Sequence, residues 1–191
     1  MTKEDTDDLT FWYYKNLISE QECNALIQYF STFKAKQANV GVTNSETTID
    51  TSIRNVNKID LPVYNGIGAL LTALGLDANA QRWKFNIERS NQCEFLKYSK
   101  NGRYTGHIDT YLSNRHEHLT ECRKLTVLAF LNDDFVGGKF FLKVASAENI
   151  YPPQSKGTVL VFPSFMHHGV EDVIEGDRYS VVCWMVGPWF K

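Results

Sequence analysis

The chain contains a histidine and an aspartate two positions apart, at the end of the stretch 98–109. If residues 104–109 form a β-strand, side chains alternate between two faces, so His107 and Asp109 point in the same direction. An imidazole nitrogen and a carboxylate oxygen aimed at one point are two suitable ligands for a metal ion. Because the pattern His-x-Asp is common by chance, a metal site requires a third ligand from elsewhere in the chain.

His168 is the best candidate for this third ligand. It follows an apolar stretch over 157–162, typical of a buried strand, and then a proline-serine turn. Two histidines and one carboxylate on one face of a metal form the facial triad of non-haem Fe(II) oxygenases, which leaves three positions open. The neighbouring His167 has the same chemistry. The pattern His-x-Val and the ten-residue step to Arg178 favour His168, and we expect His167 to face outward or into packing.

Arg178 opens another predicted strand, over 178–186. Strand alternation places four side chains on one face: Arg178, Ser180, Val182 and Trp184. A buried guanidinium without a partner is very costly, so an anion must lie against it. Its planar fork can bond both oxygens of a carboxylate. That carboxylate is either internal, such as Asp177 or Glu175, or part of a bound molecule.

The order of these residues resembles the Fe(II)/2-oxoglutarate-dependent dioxygenases, and most of all their prolyl 4-hydroxylase-like group of bacterial and phage type. The resemblance covers about residues 94–188 and includes further motifs along the way. They are Tyr98-x3-Gly102-x-Tyr104, Arg123-x2-Thr126, Gly137-Gly138, Phe162-Pro163-Ser164 and Arg178-x-Ser180. No single motif is specific, and the ordered set carries the resemblance.

The resemblance implies a complete site. His107, Asp109 and His168 would bind Fe(II), while Arg178 with Tyr98, Ser180 and Thr126 would bind 2-oxoglutarate. Dioxygen is the implied second cosubstrate, and ascorbate is common in the resembled group, although no residue here demonstrates it.

The implied reaction is hydroxylation of an unactivated C–H bond, with release of succinate and CO2. The implied substrate is a prolyl or other amino-acid residue in a peptide or protein. Three alternatives stay open: the same chemistry on a free small molecule or nucleotide, a catalytically silent barrel that binds a ligand, and a zinc or manganese hydrolase. The arginine and the lack of an obvious general base argue against the hydrolase.

From residue 83 onward, apolar residues recur at the spacing of strands. The predicted strands cover 83–89, 93–98, 104–109, 124–132, 139–144, 157–162 and 178–186. Many short strands at regular spacing predict a β-barrel or sandwich. The predicted fold class is therefore mainly β with flanking helices, with a double-stranded β-helix (jelly-roll) core over 83–191 packed by two N-terminal helices.

The two helices are expected within a supporting region over 9–82. Ser19 and Glu22 form a capping box ahead of the first helix. Its apolar face holds Cys23, Leu26, Ile27, Phe30 and Phe33. The second helix is predicted over 63–76, with Gly75 near its C-terminal cap. Residues 1–8 are expected to be disordered. The polar stretch 37–58 is expected to be a loop, either a surface excursion or a flap over the site that involves Arg54.

Composition restricts the class of protein further. A chain of 191 residues with 43% hydrophobic content is long enough for one domain, 1–191, with a sizeable core. A net charge of −2 gives no indication of nucleic acid or of an anionic membrane as a partner. No apolar run approaches the roughly 20 residues of a membrane span, and the acidic start is unlike a signal peptide. A cytoplasmic location and four reduced cysteines are predicted.

One further cluster has residue types that bind zinc, His116, His118 and Cys122. It lies in a polar segment over 110–123, for which a mobile lid or substrate loop is the preferred interpretation.

Overall fold

The structure, a computed structural model, describes residues 10–41, 47–64, 66–110, 120–144 and 148–189. Its helices are α1 (Glu20–Ser31) and α2 (Ile67–Gln81). Its strands are β1 (Trp12–Tyr14), β2 (Lys36–Gln37), β3 (Val40–Gly41), β4 (Thr47–Thr48), β5 (Arg54–Asn55), β6 (Asn57–Leu61), β7 (Arg89–Tyr98), β8 (Arg103–His107), β9 (Glu121–Phe130), β10 (Val136–Gly137), β11 (Phe140–Lys143), β12 (Asn149–Ile150), β13 (Val159–Pro163), β14 (His167–Val170), β15 (Val173–Glu175) and β16 (Arg178–Pro188).

Two antiparallel sheets form the body of the fold. The large sheet has the strand order β1-β13-β9-β16-β7-β6-β2, and the small sheet has the order β12-β11-β14-β8-β5. Side chains from both sheets meet in a shared interior core that includes Leu96, Leu128, Phe140, Leu142, Leu160 and Phe162. Two antiparallel sheets closed over one core give the jelly-roll arrangement that the strand pattern predicts.

The two helices lie on the opposite face of the large sheet, where α2 packs against β9, β13 and β16. This outer core contains Phe30, Leu71, Phe95, Val127, Val181 and Met185. The predicted capping box is confirmed, because Ser19 Oγ accepts from the Glu22 amide and Glu22 Oε2 accepts from the Ser19 amide. The helices therefore support the large sheet from behind and leave its inner face to the site.

The predicted span of the second helix is wrong. Gly75 lies in the interior of α2, not at its end, and the helix continues to Gln81. A Cβ atom at position 75 would lie 2.2 Å from Met185 Sδ and 2.8 Å from Val127 Cγ2. Glycine is thus required by the close approach of the helix to the sheet, and not by a cap.

Gly75→Val is expected to lower the free energy of unfolding by about 1–3 kcal/mol, because the added methyl groups overpack the contact with β9 and β16. Urea unfolding followed by circular dichroism measures the change. Leu76→Val is the matched control, because Leu76 is 47% exposed on the same helix and reports β-branching alone. Equal stability of both variants would contradict the packing argument.

The predicted strand over 83–89 is also wrong, because β7 begins only at Arg89 and then runs unbroken to Tyr98. Residues 82 and 83 form a turn, and Lys84, which follows it, has a φ of 55°. The Asn79 side chain fixes this turn, accepting from the Phe85 amide at 2.9 Å and donating to the Phe85 carbonyl at 2.9 Å. The alternation of Trp83, Phe85 and Ile87 reflects packing on the outer core, not a ladder of strand hydrogen bonds.

The stretch 37–58, predicted as a loop, contains short strands instead. Within it, β5 pairs with β8 of the small sheet and β6 pairs with β7 of the large sheet. The chain crosses between the sheets at Val56, which is 2% exposed. This segment therefore joins the two sheets beside the site.

Several predictions concern residues outside the described ranges. They are the disorder of 1–8, residues 42–46 of the proposed flap, and residues 111–119 of the polar segment, with His116 and His118. All four cysteines are described, and each is a buried free thiol. Neither helix among the described residues is long and apolar enough to cross a membrane.

Candidate metal centre and adjoining pocket

Two neighbouring strands of the small sheet bring the two histidines together. His107 ends β8, His168 is the second residue of β14, and the two are direct register partners. Asp109 lies just beyond β8, where its amide donates to the Ser164 carbonyl at 2.9 Å. One ligand atom from each of these three side chains lies within 4.8 Å of the others. The predicted strand over 104–109 is therefore too long, since Asp109 reaches the common point from a bend.

The carboxylate of Asp109 lies between the two imidazoles. Its Oδ1 is 3.5 Å from His107 Nε2, and its Oδ2 is 3.4 Å from His168 Nε2. His167 does not take part. It is exposed, and its ring packs over Gly106, where a Cβ atom would lie 2.0 Å from His167 Cε1. The expectation that His167 faces away is confirmed.

Backbone carbonyls fix the tautomer of both histidines. His107 Nδ1 lies 2.9 Å from the Thr105 carbonyl, and His168 Nδ1 lies 2.8 Å from the Met166 carbonyl. Because a carbonyl can only accept, each Nδ1 carries a proton, and in the neutral ring each Nε2 then presents a free lone pair. Burial, together with the nearby His168, lowers the pKa of His107 and so favours the neutral ring.

The charge of Asp109 completes the donor set. Burial alone would raise the pKa of this carboxyl group, but His168 and His107, when protonated, hold it well below its usual value, so Asp109 is ionised. A metal ion that takes the place of those protons would meet two neutral rings and a carboxylate. Two neutral imidazoles and one carboxylate are ligands that suit a divalent transition metal. The residues present therefore fit an Fe(II) ion.

A stack of side chains holds the exposed side of His107. The Tyr104 ring lies parallel to the imidazole at a centroid distance of 3.5 Å, and the Arg54 guanidinium covers Tyr104 at 4.7 Å. Glu94, 2% exposed, anchors Arg54 through a contact of 3.3 Å and also pairs with Lys58. The sequence pattern pointed to Arg54 but not to Glu94. A charged residue within an apolar strand was the signal that could have identified Glu94.

A pocket extends from the three ligands into the core between the sheets. The predicted face of β16 is confirmed here, because Arg178, Ser180, Val182 and Trp184 all line the pocket. Its walls also include Leu96, Tyr98, Leu128, Phe140 and Phe162. Apolar walls of this kind exclude water and strengthen any electrostatic contact inside.

Arg178 is the buried cation of this pocket, with 1% of its surface exposed. Its Nη1 donates to Ser180 Oγ at 3.1 Å, whereas Nε and Nη2 have no hydrogen-bond partner among the described residues. The internal alternative fails, because Asp177 pairs with Lys97 at 2.9 Å and Glu175 forms no described ion pair. Two unsatisfied donors on a buried charge call for a ligand with two acceptors, such as a carboxylate.

Thr126 contacts the ligand set directly. Its Oγ1 donates to Asp109 Oδ2 at 2.8 Å, so the structure places this hydroxyl on the aspartate, although a cosubstrate contact was predicted. Trp184 Nε1 donates to the same oxygen at 2.8 Å. Sequence analysis placed Trp184 on the correct face but missed this contact, because it joins the two sheets.

A jelly roll that places two histidines and an aspartate beside a buried, unsatisfied arginine defines the class of the Fe(II)/2-oxoglutarate oxygenases. Residues 93–186 match the family model of the 2OG-Fe(II) oxygenase superfamily. This match places residues 93–186, about half of the chain, in that superfamily, which implies Fe(II), 2-oxoglutarate and O2.

Similar proteins agree with this membership. A PKHD-type hydroxylase of Rippkaea orientalis is 27% identical over 129 residues, 58% of this chain and 58% of that protein. The match thus spans little more than half the length of this curated relative.

Two solved structures share the fold. A prolyl-4-hydroxylase of Pseudomonas putida has a TM-score of 0.70 at 18% identity and covers 92% of both chains. A prolyl hydroxylase of Trichoplax adhaerens, in complex with a hypoxia inducible factor peptide fragment, has a TM-score of 0.71 at 18% identity and covers 94% of this chain and 84% of that one. The predicted fold class is confirmed by these likenesses.

Proposed function

We propose that this protein is an Fe(II)- and 2-oxoglutarate-dependent dioxygenase that hydroxylates an unactivated C–H bond. His107, Asp109 and His168 would hold the iron, and Arg178 would bind the distal carboxylate of 2-oxoglutarate. When bound, iron and 2-oxoglutarate supply the oxidation, in which O2 and the keto acid yield succinate, CO2 and a hydroxyl group on the substrate. The single observation that carries the proposal is a buried arginine with two free donors in the pocket of the triad.

The chain's own residues bind and orient the reactants. Ser180, fully buried, fixes one side of the Arg178 fork and leaves Nε and Nη2 for a carboxylate. Burial raises the pKa of Tyr98, so its phenol stays protonated and can donate a hydrogen bond. Leu96, Leu128 and Val182 line the space between Arg178 and the metal ligands and exclude water from it.

For the substrate, we propose a prolyl or other amino-acid residue in a peptide or protein. The support is the likeness to a prolyl-4-hydroxylase and to a prolyl hydroxylase solved with a peptide fragment. The pocket lining includes three side chains that are partly exposed, Arg54, Tyr104 and His107, and at this side a segment of chain could approach the metal ligands from outside.

Anaerobic addition of Fe(II) and 2-oxoglutarate to the purified protein is expected to produce a weak visible charge-transfer band. In air, the same mixture is expected to release succinate slowly without added substrate. Release should rise with the true substrate in a screen of proline- and lysine-containing peptides, free amino acids and nucleotides. Iron binding that is indifferent to 2-oxoglutarate would contradict the proposal, and stimulation by free compounds alone would move the substrate to a small molecule.

A further inference from the structure

We propose that Thr126 and Trp184 are positioning residues that make Asp109 a ligand through one oxygen only. The inference rests on the proposed function and extends it, because it explains how the chain keeps coordination positions free. The carboxylate of a metal-binding aspartate can bind through one oxygen or through both. The two oxygens of Asp109 differ in their hydrogen-bond partners, and this difference leaves only one of them free to bind a metal.

Oδ2 of Asp109 is the oxygen that protein donors occupy. It accepts from Thr126 Oγ1 and from Trp184 Nε1, each at 2.8 Å. Thr126 is 2% exposed and Trp184 is 6% exposed, so little water competes with either bond. Since the single proton of Thr126 goes to the carboxylate, Ser164 Oγ, 2.9 Å away, donates in turn to Thr126 Oγ1. Both lone pairs of Oδ2 are therefore engaged.

Oδ1 of Asp109 is the oxygen that remains free. Its near neighbour is His107 Nε2 at 3.5 Å, which carries no proton because the proton lies on Nδ1. Among the described residues no other group donates to Oδ1. His168 Nε2 lies 3.4 Å from Oδ2, but both lone pairs of that oxygen are already engaged. The free lone pairs of Oδ1, His107 Nε2 and His168 Nε2 would then supply three single-atom ligands.

The two donors are held rigidly by the large sheet. Thr126 on β9 and Trp184 on β16 are direct register partners on adjacent strands. The Arg123 guanidinium covers the Trp184 ring at 4.0 Å and fixes the plane of the indole. Asp109 follows the end of β8 in the small sheet, so these two bonds link it to the large sheet.

The consequence concerns the number of open positions. Three single-atom ligands leave three positions of an octahedral metal for a chelating keto acid and dioxygen. A carboxylate bound through both oxygens would take one of those positions. Outer hydrogen bonds of this kind also orient the ligand, and their loss typically costs 10–100-fold in metal affinity.

The test uses Thr126→Val, which keeps the shape of the side chain, and Trp184→Phe, which keeps a ring beneath Arg123. Anaerobic titration with Mn(II), followed by electron paramagnetic resonance, measures metal affinity without turnover. Each variant is expected to bind Mn(II) about 10-fold or more weakly. Thr126→Ser is expected to restore the affinity, because the hydroxyl returns. In the Co(II)-loaded protein, the visible absorption of both variants is expected to change as the carboxylate rotates.

Thr72→Val and Trp12→Phe are matched controls in the outer core, and they are expected to bind Mn(II) as the wild type does. Wild-type affinity in Thr126→Val, or failure of Thr126→Ser to recover, would overturn the inference. If Trp184→Phe does not fold, the comparison of Thr126→Val with Thr126→Ser tests the inference by itself. A wild-type protein that binds no Mn(II) would instead refute the proposed function, so the two failures can be told apart.

Discussion

Replacing His168 with alanine is expected to abolish 2-oxoglutarate turnover. The side chain supplies one of three donor atoms that lie within 4.8 Å of one another, and two donors hold a divalent metal poorly. The loss of metal affinity should exceed the roughly 10–100-fold typical of losing an outer hydrogen-bond partner. Anaerobic Mn(II) titration measures the affinity, and the visible band with Fe(II) and 2-oxoglutarate is expected to disappear.

The adjacent histidine provides a matched control. His167→Ala changes the same residue type at the next position, but this ring is exposed and packs over Gly106. We expect its metal affinity and succinate release to stay within about twofold of the wild type, as for surface substitutions in general. Loss of metal binding in His167→Ala with retention in His168→Ala would reverse the assignment of the ligand.

Replacing Arg178 with methionine is expected to raise the KM for 2-oxoglutarate by about 100- to 10,000-fold. Two charge-assisted hydrogen bonds would be lost, each contributing about 1.5–3 kcal/mol, and each 1.4 kcal/mol corresponds to tenfold in affinity. The KM of Arg178→Lys should lie between those of the wild type and Arg178→Met, because an ammonium group is a point charge without the planar fork. Steady-state succinate release at varied 2-oxoglutarate measures the effect, and binding of Mn(II) alone is expected to persist.

The thermal stability of Arg178→Met also shows whether Arg178 serves a bound ligand or an internal ion pair. Without ligand, Arg178 is a buried charge with two unsatisfied donors, so Arg178→Met should leave thermal stability unchanged or higher. Arg103→Met is the control, since Arg103 pairs with Asp172 at 3.0 Å on the surface and should not alter the KM. A large loss of stability in Arg178→Met would show that the arginine has an internal partner.

Much of the site could be predicted because its residues lie where local patterns are informative. Alternation along one strand places Arg178 and Ser180 on the pocket face without any knowledge of the fold. The spacing of His107 and Asp109 led to two residues that the structure brings together, although a bend and not a strand brings Asp109 into position. The position of His168 was harder to predict, because β14 is four residues long and too polar to be recognised as a strand. This strand forms because it pairs with β8 and β11.

The errors arise where tertiary contacts override local signals. Gly75 has the appearance of a helix cap, but the helix continues, because the glycine lets α2 approach Met185 closely. Residues 83–89 alternate like a strand, but 84–88 form no regular structure, and the Asn79 side chain holds Phe85 through two hydrogen bonds. The bonds from Thr126 and Trp184 to Asp109 join separate sheets, and no spacing within one strand can reveal such a contact.

The register of β14 against β8 has a thermodynamic consequence. His107 and His168 are far apart in the sequence but are cross-strand neighbours, so a metal bound to both would act as a cross-link within the small sheet. By linkage, a ligand that binds only the folded state contributes about 2.7 kcal/mol of stability at a free concentration 100 times its Kd. The integrity of this strand pair would then follow the supply of iron, and depletion of the metal would loosen the same ladder that aligns its ligands.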